Sequence, residues 1–193
     1  MIRDLIIKNR SYRRFYQDVP VKMNILQDLV DLARQSPSAA NKQPLKYILS
    51  NQPAVNELIF HQLAWAGYLK DWPGPEEGER PAAYILLLAD RKISRAIDCD
   101  HGIAAQSILL GAADNGLGGC ILSSINRDEV SKALDVPSHL EILLAIALGK
   151  PKETVILEEM LEKGDFKYWR DAEGRHHVPK RALSEVVLAK YSG

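Results

Sequence analysis

The stretch "NRSYRRF" sets three arginines, Arg10, Arg13 and Arg14, around the hydroxyl of Ser11. Arginine presents a planar fork of N–H donors that matches a phosphate two at a time, and a serine hydroxyl adds another donor. The chemistry on offer is anion binding. The same residues also read as a solvated basic turn after a helix. A second basic pair, Lys180 and Arg181, stands near the other end in "HHVPKRALSE". It either reaches the same anion or decorates a terminal helix patterned by Leu183, Val186 and Val187.

A different chemistry is offered by "ARQSPSAANKQP". Here Ser36, Ser38, Asn41 and Gln43 fall within eight residues. Asn and Gln each carry a donor and an acceptor side by side, which suits a ring edged with alternating C=O and N–H groups. Small Ala39 and Ala40 would let backbone come close. The plain alternative is a helix end followed by ordinary turns. "ADNGLGGCIL" contributes Gly116, Gly118 and Gly119. These are not a dinucleotide fingerprint, since the G-x-G-x-x-G order is missing and a helix precedes them, and no Gly-Lys-Ser/Thr marks a P-loop. They permit positive φ or close packing against a flat ligand.

No side-chain nucleophile, triad or four-ligand zinc spacing emerges. His101 reads as a structural residue of a buried helix. His176 and His177 are adjacent, so they diverge rather than chelate. Cys99 and Cys120 read as packed free thiols. Trp65, Tyr68 and Trp72 are core or pocket aromatics.

These groups need elements to hold them. Apolar spacings of three and four predict helices over 2–9, 22–35, 54–66 and 98–116, with a short one at "NRDEVSKAL". "LKYILS" alternates like a strand. "PAAYILLLAD" (81–90) and "EILLAIALG" (141–149) are apolar enough for strands covered on both faces. "DWPGPEEGER" is loop. The 98–116 helix is apolar almost all round, which predicts burial or a subunit interface. After Gly149 no dense core pattern remains, and "DFKYWRDAEGRHH" gathers Phe166, Tyr168 and Trp169 in one short loop. Such a tail folds over its own domain or crosses to a partner.

The chain of 193 residues, 46% hydrophobic, can bury one substantial core. Lysine and arginine number 25, as do aspartate and glutamate, so no single-sign field points to nucleic acid. The first ten residues mix charged with apolar types and show no cleavage-site pattern, and no apolar run approaches the roughly 20 residues of a membrane span. We expect a soluble, cytoplasmic protein, outside any membrane and with no metal.

In order and spacing, "RSYRRF" followed by "VP", "ARQSPSAANKQP", "DCDHGIAAQSILLGAADNGLGGC" and "PKR" resemble the flavin-dependent nitroreductase family over nearly the whole chain. The resemblance implies an α+β fold, a mainly antiparallel central sheet flanked by helices, in one domain over 1–193. Its 150–193 tail would pack on the partner of a domain-swapped homodimer with two FMN at the interface. It places Arg10, Ser11 and Arg13 at the FMN phosphate and ribityl chain, completed by Lys180 or Arg181. Ser38, Ala39, Ala40, Asn41 and Gln43 would wall the ribityl and pyrimidine side. Gly118 and Gly119, with Cys120 and Ile121, would lie near the dimethylbenzene or N5 side, and Lys42 or Lys180 near N1. The implied reaction is ping-pong: NADH or NADPH reduces the flavin at N5, then a small planar electron acceptor such as a nitroaromatic or quinone takes its place. The alternatives are other flavin chemistry on the same scaffold, or a flavin-binding protein without turnover. The acidic and glycine residues common after the family's mid-chain proline have no match, since "SSIN" follows "GGCIL" here.

Overall fold

The computed structural model describes residues 1–160 and 164–193. In chain order these form α1 (Ile2–Lys8), β1 (Phe15–Tyr16), α2 (Met23–Gln35), a 3-10 turn (Ala39–Asn41), β2 (Leu45–Ser50) and α3 (Pro53–Phe60). Then come β3 (Ala83–Asp90), α4 (Asp100–Asp114), β4 (Gly118–Leu122), α5 (Arg127–Ala133) and β5 (Leu140–Pro151). The tail adds β6 (Val155–Glu159), β7 (Trp169–Arg170), β8 (His176–Lys180) and α6 (Leu183–Val186).

The main sheet runs β1-β5-β3-β2, with β4 also on β5, and every pairing is antiparallel. The architecture is α+β. Every residue of β3 is buried, as its unbroken apolar run requires. Its alternation separates two cores. Ile85 and Leu87 pack with Ile146 and Leu148 of β5 against α2 and α4. Tyr84, Leu86 and Leu88 pack with Ile142, Ala145 and Ala147 towards Ile59 of α3, Trp65 and Val130 of α5. A register shift between Leu87 and Leu88 passes over Leu143 of β5.

One expectation needs correction. The helix read at 54–66 ends at Phe60. Beyond it the chain turns so that Trp65 enters the second core, 7% exposed, and Leu63 bridges Ile125. The glycine-rich 118–122 segment is a strand, β4, a pattern that low β propensity hides. The tail after Gly149 carries further structure of its own. Strands β6, β7 and β8 form a small sheet in which β8 pairs parallel with β6 and antiparallel with β7. That sheet lies on its own chain, held by Glu153, whose side chain is fully buried. Glu153 accepts from the backbone N–H groups of Arg13 and Arg14 and from Arg170 Nη2 at 2.9 Å. Exposure in the tail is greatest over 181–193, where Leu183, Leu188 and Tyr191 are 74%, 97% and 98% exposed.

No helix among the described residues is long and apolar enough to cross a membrane. No group of three or more His, Cys, Asp or Glu among them is placed to hold a metal ion. Cys99 is exposed, Cys120 is buried, and both are free.

Candidate cofactor site

The basic segment is laid along the edge of β4. Ser11 bridges Gly119, and the Tyr12 N–H donates to the Gly119 carbonyl at 3.0 Å. This approach explains the glycines. A Cβ at Gly118 would stand 2.4 Å from the Tyr12 ring, and one at Gly119 2.6 Å from the Ala147 carbonyl oxygen. Both are buried and serve close packing of the chain on itself, and neither is among the residues that line the cleft described below.

Consecutive side chains of an extended segment diverge, and the arginines do. Arg14 leaves the site. It donates to Glu79 at 2.5 and 2.6 Å, and with Lys152 at 3.0 Å it holds that carboxyl down at about 2. Arg13 turns inward, 9% exposed. Its guanidinium stacks 4.6 Å from the Tyr168 ring centroid and lies 3.2 Å from His176 Nε2.

A cleft of ≈ 310 Å³ opens here, lined by Arg10, Ser11 and Arg13, by Gln106 and Leu109 of α4, and by Tyr168, His176 and Lys180 of the tail, among others. Four positively charged or anion-seeking residues singled out in the sequence therefore meet: Arg10, Ser11, Arg13 and Lys180. Arg181 does not. It lies outside the cleft, 3.7 Å from Glu185. No carboxylate lines the cleft among the described residues. Arg10 and Arg13 each hold a buried Nε without a partner among the described residues. Burial pushes the Arg10 guanidinium below its ordinary value, yet it stays charged at any working pH. Cations with unpaired donors and no counter-carboxylate make a prepared seat for an anion. A phosphate monoester such as that of FMN has the matching charge and acceptor oxygens.

The polar loop is built differently. Asp100, 4% exposed at the start of α4, accepts from the Ser38 hydroxyl at 2.6 Å and from the Ala39 N–H at 2.8 Å. Ser38 in turn accepts from the Gln43 N–H at 2.9 Å. The Gln43 side-chain amide donates to Asn41 Oδ1 at 3.1 Å. Ala40, Asn41 and Gln43 all have positive φ, at 49°, 53° and 51°. For Ala and Gln that conformation costs roughly 1 kcal/mol each. Ala40, Asn41, Lys42 and Gln43 are exposed, while the hollow beneath the loop measures only ≈ 70 Å³. Tyr47 in that hollow is pushed up to about 12 by burial and then by the charge of Asp100.

The two clusters occupy different sides of α4. Asp100 and Ala104 face the loop, whereas Gln106 and Leu109 face the basic cleft. One chain therefore does not bring Ser38–Gln43 and Arg10–Arg13 into one cavity. Sequence reasoning named Tyr168 only as part of an aromatic tail loop and His176 only as a residue that does not chelate, and it missed Glu153 and Asp100. One signal was available: in "HHVPK" a period of two puts His176, Val178 and Lys180 on one face, and all three line the cleft.

An antiparallel α+β sandwich with a basic cleft beside its long central helix defines a class able to seat a phosphorylated ligand. The sequence profile of the nitroreductase family matches residues 6–150, and the chain belongs to that family. Iodotyrosine deiodinase of Thermotoga neapolitana is 24% identical over 169 residues, 79% of this chain and 90% of that protein. NADH dehydrogenase of Thermus thermophilus is 27% identical over 176 residues, covering 76% and 85%. The crystal structure of a nitroreductase-like protein from Desulfovibrio desulfuricans in complex with FMN superposes with a TM-score of 0.69 at 24% identity, over 100% of this chain and 98% of that one. That likeness fixes the fold.

Proposed function

We propose that the protein is a homodimeric, FMN-dependent oxidoreductase of the cytoplasm that draws electrons from NADH or NADPH and reduces small planar, electron-poor acceptors. The observation that carries this reading is the cleft where Arg10, Ser11, Arg13 and Lys180 converge with, among the described residues, no partner for two buried guanidinium donors and no carboxylate. Arg10 and Arg13 would hold the FMN phosphate through their guanidinium donors, with Ser11 and Lys180 completing the shell. FMN, when bound, supplies the redox chemistry at its N5.

The chain's own residues do the rest. Small-molecule sites usually span about 300–1,000 Å³, so a cleft at the low end of that range holds part of the cofactor. The ring would then lie against a second surface. The exposed, strained turn at Ala39–Gln43 offers backbone and amide groups for a flavin edge, and we assign it to the ring held by the partner's cleft. Exposed Ile2, Ile6 and Ile7 of α1, Leu32 of α2 and Ile103 of α4 give that partner an apolar seat. The exposed 181–193 segment is the part of the tail we assign to the partner. Tyr68, which packs on Tyr168 with ring centroids 5.0 Å apart, would border the space for the acceptor.

The second reading, other flavin chemistry on the same scaffold, is favoured by the similarity to a deiodinase. An anaerobic absorbance titration separates them. The FMN-loaded protein is titrated with NADH, then NADPH, and a nitroaromatic or quinone is added. Bleaching and recovery support the oxidoreductase. A bound flavin that resists both donors sinks NAD(P)H turnover and leaves a protein that handles flavin without it, or takes its electrons elsewhere.

A further inference from the structure

Strand β8 carries two adjacent histidines in opposite settings. His177 lies on the outer face, with Nδ1 3.0 Å from Glu158 Oε2 and Nε2 3.0 Å from Asp171 Oδ2. Those carboxylates, Asp171 first, raise its affinity for a proton. His176 lies on the inner face, 1% exposed, as part of the cleft wall.

The contact between His176 and Arg13 fixes a protonation state. A guanidinium only donates hydrogen bonds. With Arg13 Nη1 3.2 Å from His176 Nε2, Nε2 must accept, and the ring proton sits on Nδ1. That Nδ1 has no partner among the described residues. The charged and titratable groups around the ring are Arg13 from the basic segment, Arg170 from β7, and His177 beside it on β8. The Tyr168 ring lies 5.1 Å away, and Arg10 and Lys180 share the same cleft. Glu153, the carboxylate of this region, is already committed to Arg170 and to backbone N–H groups. Burial first, then Arg13 and Arg170, bring His176 down to about 4, so the ring is neutral in the free protein.

A proton added to Nε2 would set two donors against each other at that distance. An anion's oxygen placed between them would accept from both. It would also offset the cationic field that keeps the ring neutral. We propose that His176 is a further ligand of the phosphate in this cleft and takes up a proton from solvent as a phosphate monoester enters. This rests on the FMN reading above and adds to it a selectivity: the cleft favours a dianionic phosphate over the uncharged end of riboflavin, and grips it harder as pH falls. Binding and protonation each favour the other by the same factor. In the range from about pH 8 down to about pH 7 the phosphate stays dianionic, so its own titration does not mask the effect.

The test is calorimetric titration of the flavin-stripped full chain with FMN near pH 7, in two buffers of different ionisation heat. We expect uptake of roughly half a proton or more per FMN, and FMN affinity that rises several-fold per pH unit as pH falls. Riboflavin should bring no uptake. His176→Gln should abolish the uptake and weaken FMN by about tenfold. Should that variant fail to fold, the ring ¹⁵N shifts of His176 in the labelled holoprotein still decide, because an imidazolium carries a proton on both nitrogens. FMN binding with no proton uptake, or a bound His176 still neutral, overturns this inference and leaves the cofactor reading standing. No FMN binding at all overturns both.

Discussion

The basic cleft and the polar loop are both built from hydrogen-bonding groups, yet they treat them in different ways. In the loop, Ser38 is bonded to Asp100 and to the Gln43 N–H, and Asn41 to the Gln43 amide. In the cleft, Arg10 Nε, Arg13 Nε and His176 Nδ1 are buried with no partner among the described residues. A buried donor without a partner costs free energy in the empty protein, and a ligand that supplies the acceptor recovers it. The lesson is that residue type nominates a site, while the state of its hydrogen bonds distinguishes a seat from a scaffold. In the proposed reading the cleft seats the phosphate through its side chains, while the loop's internal bonds fix the backbone shape that it offers to a flavin edge.

That contrast breaks most visibly at Arg13. Arg13→Ala should weaken FMN by about a hundredfold, since hydrogen bonds to charged groups contribute roughly 1.5–3 kcal/mol each, and Arg13→Lys should recover only part of it because the fork is lost. Fluorescence titration of stripped protein measures both. If Arg13→Ala binds FMN normally, the phosphate sits elsewhere.

Acid should destabilise the free protein through the cleft. His176 has its folded value lowered from 6.5 to about 4, so the unfolded chain takes the proton first. The neutral ring's contribution is complete above 6.5 and is lost as pH falls towards 4. The loss is on the order of 2–3 kcal/mol by linkage, seen as a falling urea midpoint. His177, raised by its two carboxylates, works the other way: its contribution is present below 6.5 and fades as pH rises through its folded value. A His176→Gln protein that keeps the full acid loss above pH ~4.5 would contradict this assignment.

Lys180 and Arg181 sharpen the contrast within one dipeptide. Lys180→Ala should weaken FMN by about tenfold, and Arg181→Ala, a surface charge, by less than about twofold. Equal losses would mean that both reach the anion. Ser38→Ala probes the loop. Its hydroxyl holds the turn together, so we expect a stability loss of about 1 kcal/mol with FMN affinity changed less than about threefold. The reverse, a stable protein with poor FMN binding, would mean that the Ser38 hydroxyl itself meets the flavin. The smallest effect belongs to Ala40→Gly, where a residue at φ 49° becomes one that adopts this conformation freely. Relief of strain, offset by the greater freedom of the unfolded chain, should leave a gain of about 0.5 kcal/mol in thermal melts.

How far the sequence carried depended on the kind of signal. Strand β2 was legible to the residue, and α2 and β5 nearly so, because alternation and three-four spacing encode burial directly. The basic segment and Lys180 were legible because an anion leaves few choices of residue type. The rest depends on distance. Nothing local marks Glu153 as the anchor that ties the Arg13 backbone to the tail sheet, 140 residues apart in the chain. Nothing local marks Asp100 as the acceptor that consumes the Ser38 hydroxyl. The glycines at 118 and 119 were visible, but their reason, a neighbouring segment lying on the strand, belongs to the tertiary structure.

The most direct test compares two ligands that differ by the phosphate alone. Kd values for FMN and riboflavin are measured on the flavin-stripped protein and on Arg13→Ala. The account predicts FMN about a hundredfold or more tighter than riboflavin in the parent protein, with that ratio collapsing in the variant. Equal affinity for FMN and riboflavin in the parent protein would contradict it, because a cleft that ignores the phosphate is not its seat.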